Sequence, residues 1–289
     1  MRLTKKTILL IAIISVISFL ALVYYGLSHA RGVPVVIEKP ERVILEVPFI
    51  SKDIDLTKGI SLPEWETIPS QEVELMYQVM VLPWGKSLVS PVTVRAFHNG
   101  EEIYFYMSWK DDSENRNIDV DEFSDAAAIM FPLADEVPPS TIMMGFMGNP
   151  GANIWQWKAS QDTEYWLKEL PETEAYSDFY YPFEEQEVLV VSKEVPRSAV
   201  NDLIARGVGT ITPKETQNVL GRGLWDKGTW YVVFRRSLKP TDPQLDAAFS
   251  PGGEKLSAFA IWNGAKGDRG GRKSISDWVE LEVKLEVKR

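Results

Sequence analysis

The chain has no cysteine among its 289 residues. That absence excludes disulfides, iron–sulfur ligation, thiolate zinc sites and covalent haem attachment through thioethers. Histidine is almost missing too, with only His29 and His98, so a histidine-rich metal site would need both to converge. His98 falls in a predicted hairpin turn, an exposed place from which packed metal ligands rarely come. Clustered positive charge is also lacking: 31 Lys and Arg stand against 41 Asp and Glu, a formal charge of -10. Phosphate binding needs concentrated cations, so no nucleic-acid partner is expected. There is no Asn-x-Ser/Thr sequon, and N-glycosylation is not expected. No Gly-x-Ser-x-Gly, HExxH, P-loop or EF-hand pattern occurs, which leaves the chain without an enzyme signature.

What is present begins with an apolar run from Thr7 to Leu27, preceded by Arg2, Lys5 and Lys6. As a helix it is long enough to cross the roughly 30 Å hydrocarbon layer. The preceding cations leave Met1 in the cytoplasm, so the expectation is a single-pass anchor in the cell membrane with the C-terminal part on the extracytoplasmic side. The competing reading is a cleaved leader, because Ser28 and Ala30 have the small-residue spacing of a cleavage site.

Three parts are expected: a transmembrane anchor over 1–30, a proline-rich tether over 31–64 with a strand from Val43 to Val47, and a domain over 65–289. Inside the last, His98-Asn99-Gly100 separates two alternating runs, and Asn-Gly between such runs predicts a hairpin with strands at 92–98 and 102–109. Further strands are expected at 126–131, 151–158, 187–192, 229–236 and 256–262, all rich in β-branched or aromatic residues. Val279, Leu281, Val283, Leu285 and Val287 alternate with charge and predict a half-buried strand. Helices are expected only at Ser198–Gly207, with a capping serine and terminal glycine, and at Thr163–Leu170. The fold class is therefore mainly β, an antiparallel sandwich with a few short helices behind one transmembrane helix.

Two segments fit neither strands nor ordinary turns. PPSTIMMGFMGNPGANIWQWKAS sets Met143, Met144 and Met147 among glycines ahead of Trp155 and Trp157. Methionines commonly fill core gaps; a thioether can also be an axial haem ligand, with glycines admitting a flat macrocycle and tryptophans excluding water. IWNGAKGDRGGRKSISDW is a glycine-rich loop carrying Lys266 and Lys273. A lysine there is ordinarily solvated, and it binds iron only when desolvated and deprotonated. Asp111 and Asp112 read as turn caps. Ten tryptophans also suit the stacking platforms of an extracytoplasmic carbohydrate-binding module, the alternative to a haem protein.

Read in order, VRAFHNGEEIYFYMSWKDDS, FSDAAAIMFP, FMGNPGANIWQWKA, GVGTITP, GRGLWDKGTWYVVFRRSL and AIWNGAKGDRGGRKSISDW resemble the haem b-binding gamma subunits of the type II dimethyl sulfoxide reductase family of molybdoenzymes. The resemblance runs from about Trp65 to Leu285. It implies a β-sandwich holding one non-covalent haem b between two axial iron ligands, Met147 and Lys273, with Met144 the alternative sulfur. Trp155, Trp157, Trp262 and Asn263 become expected pocket residues, and Lys158, Arg222 or Arg235 candidate partners for haem propionates. The implied task is single-electron transfer, without catalysis by this subunit, between a partner's iron–sulfur centres and a quinone pool or soluble cytochrome. The implied partners are a molybdenum-containing catalytic subunit and an iron–sulfur subunit. The expected anchor departs from the cleaved leaders of many soluble relatives and brings in a quinol-oxidising cytochrome complex as a further expected partner.

Overall fold

The computed structural model describes residues 42–79, 88–134, 137, 151–168, 196–207 and 209–286. Alternating β-branched and aromatic residues give fourteen strands among them. In chain order these are β1 (Val43–Val47), β2 (Ser70–Val73), β3 (Leu75–Tyr77), β4 (Val92–His98), β5 (Glu102–Lys110), β6 (Ala126–Pro132) and β7 (Ala152–Lys158). They continue as β8 (Val200–Ala205), β9 (Thr212–Pro213), β10 (Leu220–Trp225), β11 (Thr229–Ser237), β12 (Glu254–Trp262), β13 (Ser274–Ser276) and β14 (Val279–Val283). Two short α-helices accompany them, α1 (Leu62–Glu66) and α2 (Ala159–Leu167).

The strands form two sheets. One runs β1-β14-β12-β6-β7-β8-β9, with β13 pairing β12 and β3, nine strands in all; the other runs β10-β11-β5-β4-β2. Between them lies the main core, built from one side of each strand: Ile129, Phe131, Trp155, Trp157, Phe259 and Ile261 meet Val94, Phe105, Trp109, Trp230, Val232 and Phe234. Period-two alternation sends the intervening residues of the nine-stranded sheet to its other face, where Ala126, Ala128, Met130, Ile154, Ala258, Ala260 and Trp262 form a separate apolar cluster. The mainly β sandwich is as expected.

The β4–β5 hairpin turns at Asn99-Gly100, where the Asn99 Oδ1 accepts from the Glu101 and Glu102 amides at 3.0 and 2.8 Å. His98 itself is not an exposed turn residue. It ends β4 only 1% exposed, with its Nε2 2.7 Å from the Lys284 carbonyl oxygen.

Three expectations need correction. Ser198–Gly207 is not a helix: β8 occupies it and pairs antiparallel with β7. The Ser198 Oγ does accept a nearby amide, that of Val200, at 3.1 Å, but the residues beyond alternate between faces and take ladder bonds from β7. Tertiary pairing thus overrides a local helix signal. The expected tether over 31–64 does carry the expected strand, β1 at Val43–Val47, but from Arg42 onward it packs within one compact unit. β1 pairs parallel with β14, while Ile54 and Leu56 bury with Trp65 against Phe97 and Tyr104 on the outside of the five-stranded sheet. The proline-rich extended backbone there supplies an edge strand and a cover. The final strand stops at Val283, leaving Leu285 64% exposed.

Helix α2 starts four residues earlier than the expected Thr163–Leu170. The strand expected at 187–192 lies outside the described residues, as does the Thr7–Leu27 span. Among the described residues no helix is long and apolar enough to cross a membrane.

Candidate functional site

The outer face of the nine-stranded sheet is floored by small side chains. In the ladder, Trp262 faces Ala126 and Ala126 faces Lys158; one row on, Ala260 faces Ala128 and Ala128 faces Gln156. On the far side of β12, Ile261 pairs with Ser274, so the next position places Lys273 beside Trp262. The Lys273 Nζ lies 4.9 Å from the Trp262 ring centroid. One row across the sheet therefore reads Lys273, Trp262, Ala126, Lys158, with a basic residue at each end.

The loop that carries Lys273 is held by side chains at its base. Asn263 accepts the Lys266 amide on its Oδ1 at 3.0 Å and donates its Nδ2 to the Asp111 Oδ2 at 3.1 Å. The Asp268 Oδ2 accepts the Asn263 amide at 3.1 Å, and the Trp262 Nε1 donates to the Gly270 carbonyl at 3.0 Å. Asp125 ties the loop to the sandwich: its Oδ1 accepts the Gly264 amide, and its Oδ2 accepts the Asn115 amide and the Trp230 indole, all within 2.8–2.9 Å. Gly264 sits so close to the segment before β6 that a Cβ there would meet the Phe123 carbonyl oxygen at 1.8 Å. Only glycine fits this approach.

Burial sets the electrostatics. It pushes the Asp125 carboxyl up to about 7, helped by the charge of Asp111 and opposed by its three N–H donors. Asp268 is pushed up to about 6 by the same cause. Burial pushes the Lys273 amine down to about 8, and among the described residues no carboxylate lies within ion-pair distance of its Nζ. Lys158 is pushed down to about 8 as well, with Glu164 acting in the opposite sense. A lysine near 8 is about one tenth neutral at pH 7, far more than an ordinary lysine, and the lone pair of that fraction is available to a proton, an electrophile or a metal.

The structure brings Lys273, Trp262 and Asn263 together at one end of this face. Trp155 and Trp157 are not with them. Both point from β7 into the core between the sheets, where the Trp155 Nε1 donates to the Asn153 Oδ1 at 3.1 Å and the Trp157 Nε1 to the Asp162 Oδ1 at 2.8 Å. The residues of β7 that reach the outer face are Ile154, Gln156 and Lys158, because successive side chains point to opposite sides. Met147, with Met143 and Met144, lies outside the described residues. Arg222 and Arg235 belong to the other sheet: Arg222 donates to the Leu56 carbonyl at 2.6 Å and Arg235 pairs with Glu102 at 2.6 Å. Asp111 caps a turn as expected, accepting the Ser113 amide at 3.2 Å.

Sequence reading alone did not find the alanine floor or an open cleft at its end. The cleft is lined by Phe123, Ser124, Gln156, Lys158, Trp262 and Arg269, among others. The available signal was FSDAAAIMFP, since three alanines in succession are unusual in a strand and mark a face that something approaches closely.

The chain is 29% identical over 219 residues to the Haloferax mediterranei protein named "Putative respiratory nitrate reductase heme subunit ORF7", covering 75% of this chain and 65% of that one. It thus spans slightly under two thirds of that relative's length. It is 23% identical over 223 residues to the chlorate reductase subunit gamma of Ideonella dechloratans, covering 75% and 76% of the two chains. With the dimethylsulfide dehydrogenase subunit gamma of Rhodovulum sulfidophilum it shares 24% identity over 260 residues, 84% of this chain and 78% of that one. Among solved structures, a family 9 carbohydrate-binding module from Caldicellulosiruptor kristjanssonii in complex with glucose aligns at a TM-score of 0.43 and 8% identity, over 85% of this chain and 97% of the module. A likeness that loose says nothing about ligand. The family model described as ethylbenzene dehydrogenase matches residues 63–274, from α1 to the residue after Lys273, and the chain belongs to that family.

Proposed function

We propose that the chain is a non-catalytic electron-transfer subunit of an oxidoreductase complex, holding one non-covalent b-type haem on the outer face of its nine-stranded sheet. The observation that carries the reading is the place of Lys273, beside Trp262 at the edge of an alanine floor, with no carboxylate at ion-pair distance among the described residues and its amine pushed down by burial. Relatives named as heme and gamma subunits support it. The residues present fit the cofactor. Ala126, Ala128, Ala258 and Ala260 project nothing beyond Cβ, so this buried face is flat and apolar, as a planar ring would need, and the chain's few histidines need not supply the ligands.

Bound haem supplies one-electron redox chemistry. The chain's part would be to aim Lys273, and burial lowers the cost of its deprotonation when iron takes the place of the proton. Trp262, 6% exposed, shields the amine on one side, and Asn263 sets the loop from which it projects. Met147, from the Met-Gly step of the sequence, is the residue that would hold the iron together with Lys273 in this proposal. The partners proposed are a molybdenum-containing catalytic subunit and an iron–sulfur subunit, with a quinol-oxidising cytochrome complex as a further partner and a quinone pool or soluble cytochrome beyond. The basic residues before Thr7–Leu27 support a single-pass anchor with the sandwich on the extracytoplasmic side.

The carbohydrate-binding alternative requires exposed tryptophan platforms. Among the described residues Trp65, Trp109, Trp155, Trp157, Trp230, Trp262 and Trp278 are buried, and Trp166 and Trp225 are half-buried. The deciding measurement is the reduced-minus-oxidised spectrum of protein produced with ample haem. A sharp b-type signal, extractable by acid acetone, is expected, and replacement of either Met147 or Lys273 by alanine should convert low-spin six-coordinate haem to a high-spin form. A colourless protein, or spectra unchanged in both variants, refutes the reading.

A further inference from the structure

The loop that carries Lys273 also displays cations that the haem reading does not use. Lys266 and Arg269 are exposed and Arg272 is half-buried, so a positive charge stands at every third residue. Among the described residues none of the three lies at ion-pair distance from a carboxylate, whereas Lys52, Lys58, Arg116, Lys227 and Lys284 each do. The Arg272 amide donates to the Arg269 carbonyl at 2.9 Å, which keeps the two arginines side by side. The Lys266 amide is accepted by the Asn263 Oδ1 at 3.0 Å, and the Arg269 guanidinium lies 4.3 Å over the Phe123 ring and donates to the Gly267 carbonyl at 3.1 Å. These cations are set before any partner arrives, which lowers the ordering cost of a contact.

Their surroundings have the opposite sign. The chain as a whole carries a formal charge of -10. Beside Phe123, Asp119 and Glu122 close a tight turn through reciprocal backbone bonds of 3.0 and 3.2 Å. Asp119, Asp121 and Glu122 are exposed there, flanking a Val120 that is 81% exposed. Ile118 and Phe123 line the same cleft as Arg269, so one surface has a basic side, an acidic side and an apolar tip. A sheet of anionic lipid headgroups would meet repulsion from the acidic side. A protein surface can match both signs at once.

We infer that this loop is the docking surface for an acidic electron-exchanging protein, whose carboxylates meet Lys266, Arg269 and Arg272. The inference rests on the haem reading, in which Lys273 of the same loop would hold the iron. It adds where a partner sits and by what charge it is recognised. Three neighbouring cations on an acidic chain give a partner's carboxylates one attractive place and repel them elsewhere, so charge orients the encounter as well as speeding it.

The test uses the full chain, produced with ample haem and held in nanodiscs of neutral phosphatidylcholine, with flavodoxin, an acidic one-electron carrier, as the probe. Stopped-flow spectroscopy follows reduction of the ferric haem by flavodoxin hydroquinone as salt rises from about 10 mM, where the Debye length is about 30 Å, to about 1 M, where it is about 3 Å. Net repulsion between two acidic proteins would make the rate climb with salt. Steering by the loop should make it fall, roughly tenfold or more. The Lys266→Gln/Arg269→Gln/Arg272→Gln variant should lose that fall; should it fail to fold by circular dichroism, Lys266→Gln/Arg269→Gln decides. At low salt a carbodiimide should also join the Lys266 amine to flavodoxin carboxylates, a readout that needs no haem. A wild-type rate that climbs with salt, or no crosslink at Lys266, overturns the inference and leaves the haem reading intact. A colourless chain that still crosslinks at Lys266 keeps the docking surface and removes the haem reading. Protection of Lys266 and Arg269 from trypsin by phosphatidylglycerol nanodiscs alone would assign the loop to the bilayer and overturn the inference.

Discussion

The two faces of the nine-stranded sheet are made of the same strands and solve different problems. Toward the five-stranded sheet they carry large rings: Trp155 packs edge-on against Phe131 at 4.7 Å between centroids and against Phe105 at 5.8 Å, and Trp157 meets Trp230 at 5.0 Å. Buried charge on that side is matched. Lys214 donates to Asp202 and Asp246, Asn153 donates to Asp202 at 2.6 Å, and Arg236 lies 4.8 Å over the Trp155 ring. On the outer face the side chains are small, and the two lysines have amines held below their ordinary range by burial. The inner face is built to be stable alone; the outer face keeps a lysine amine lowered by burial, which on the proposed function gains from a guest.

The contrast breaks most easily at the inner face. Lys214→Met leaves Asp202 and Asp246 facing each other without their shared cation, and removing one partner of a buried pair costs about 3–5 kcal/mol. Trp157→Ala opens a cavity among Trp109, Trp230 and β10 and should cost about 3–5 kcal/mol as well. Urea titration measures both. Losses below 1 kcal/mol would show that the inner face is not the structural one. A smaller loss is expected at Gly223, where an added Cβ would lie 2.1 Å from the Trp157 ring. Gly223→Ala should cost about 1–3 kcal/mol through overpacking, with the same titration as the check.

Much of this division was legible in the residues. The alternation around His98-Asn99-Gly100 and the run from Val279 located their strands, and the glycine-rich loop before the last strands drew attention to Lys273. Two errors share one cause. Trp155 and Trp157 looked like walls of a pocket because they sit beside the methionine segment in sequence, yet in a strand neighbours in sequence face opposite ways, and only pairing decides which side is core. Ser198–Gly207 carried a helix-like cap and stripe, but its stripe of Val200, Leu203 and Ile204 is divided between faces once β7 lies alongside. The alanine floor was missed because small residues send no periodic signal. It becomes a feature only when β6 and β12 place Ala126, Ala128, Ala258 and Ala260 next to one another.

The outer face is tested next by proton linkage. Binding iron requires the neutral amine, so haem binding through Lys273 is linked to release of a proton below the pKa of about 8. Apparent affinity should fall about tenfold for each pH unit below 8 and level off above it, about 1.4 kcal/mol per unit. Spectrophotometric haem titrations between pH 6 and 9, limits set on the order of one pKa unit or two either side, give the slope. A flat profile would show that no proton leaves on binding and would remove Lys273 from the iron.

The smallest effect is also the most discriminating, because it asks what Lys273 does for the fold without any guest. Its amine is pushed from 10.5 down to about 8 in the folded chain, so between those values the unfolded chain binds more protons than the folded one. Stability contributed by this group therefore rises as pH increases through that window, and below it the folded state carries the cost of a buried charge. Lys273→Met removes that charge while keeping an apolar stem over Trp262. The haem-free variant should be as stable as the wild type or more so at neutral pH, by less than about 1 kcal/mol, and its advantage should shrink above pH 8 as the wild-type amine loses its proton. Urea unfolding of both haem-free proteins at neutral and alkaline pH measures the difference. A clear loss of stability in the variant at neutral pH would mean that the lysine holds the loop together, and the distinction between a face built for stability and one built for a guest would fail at its central residue.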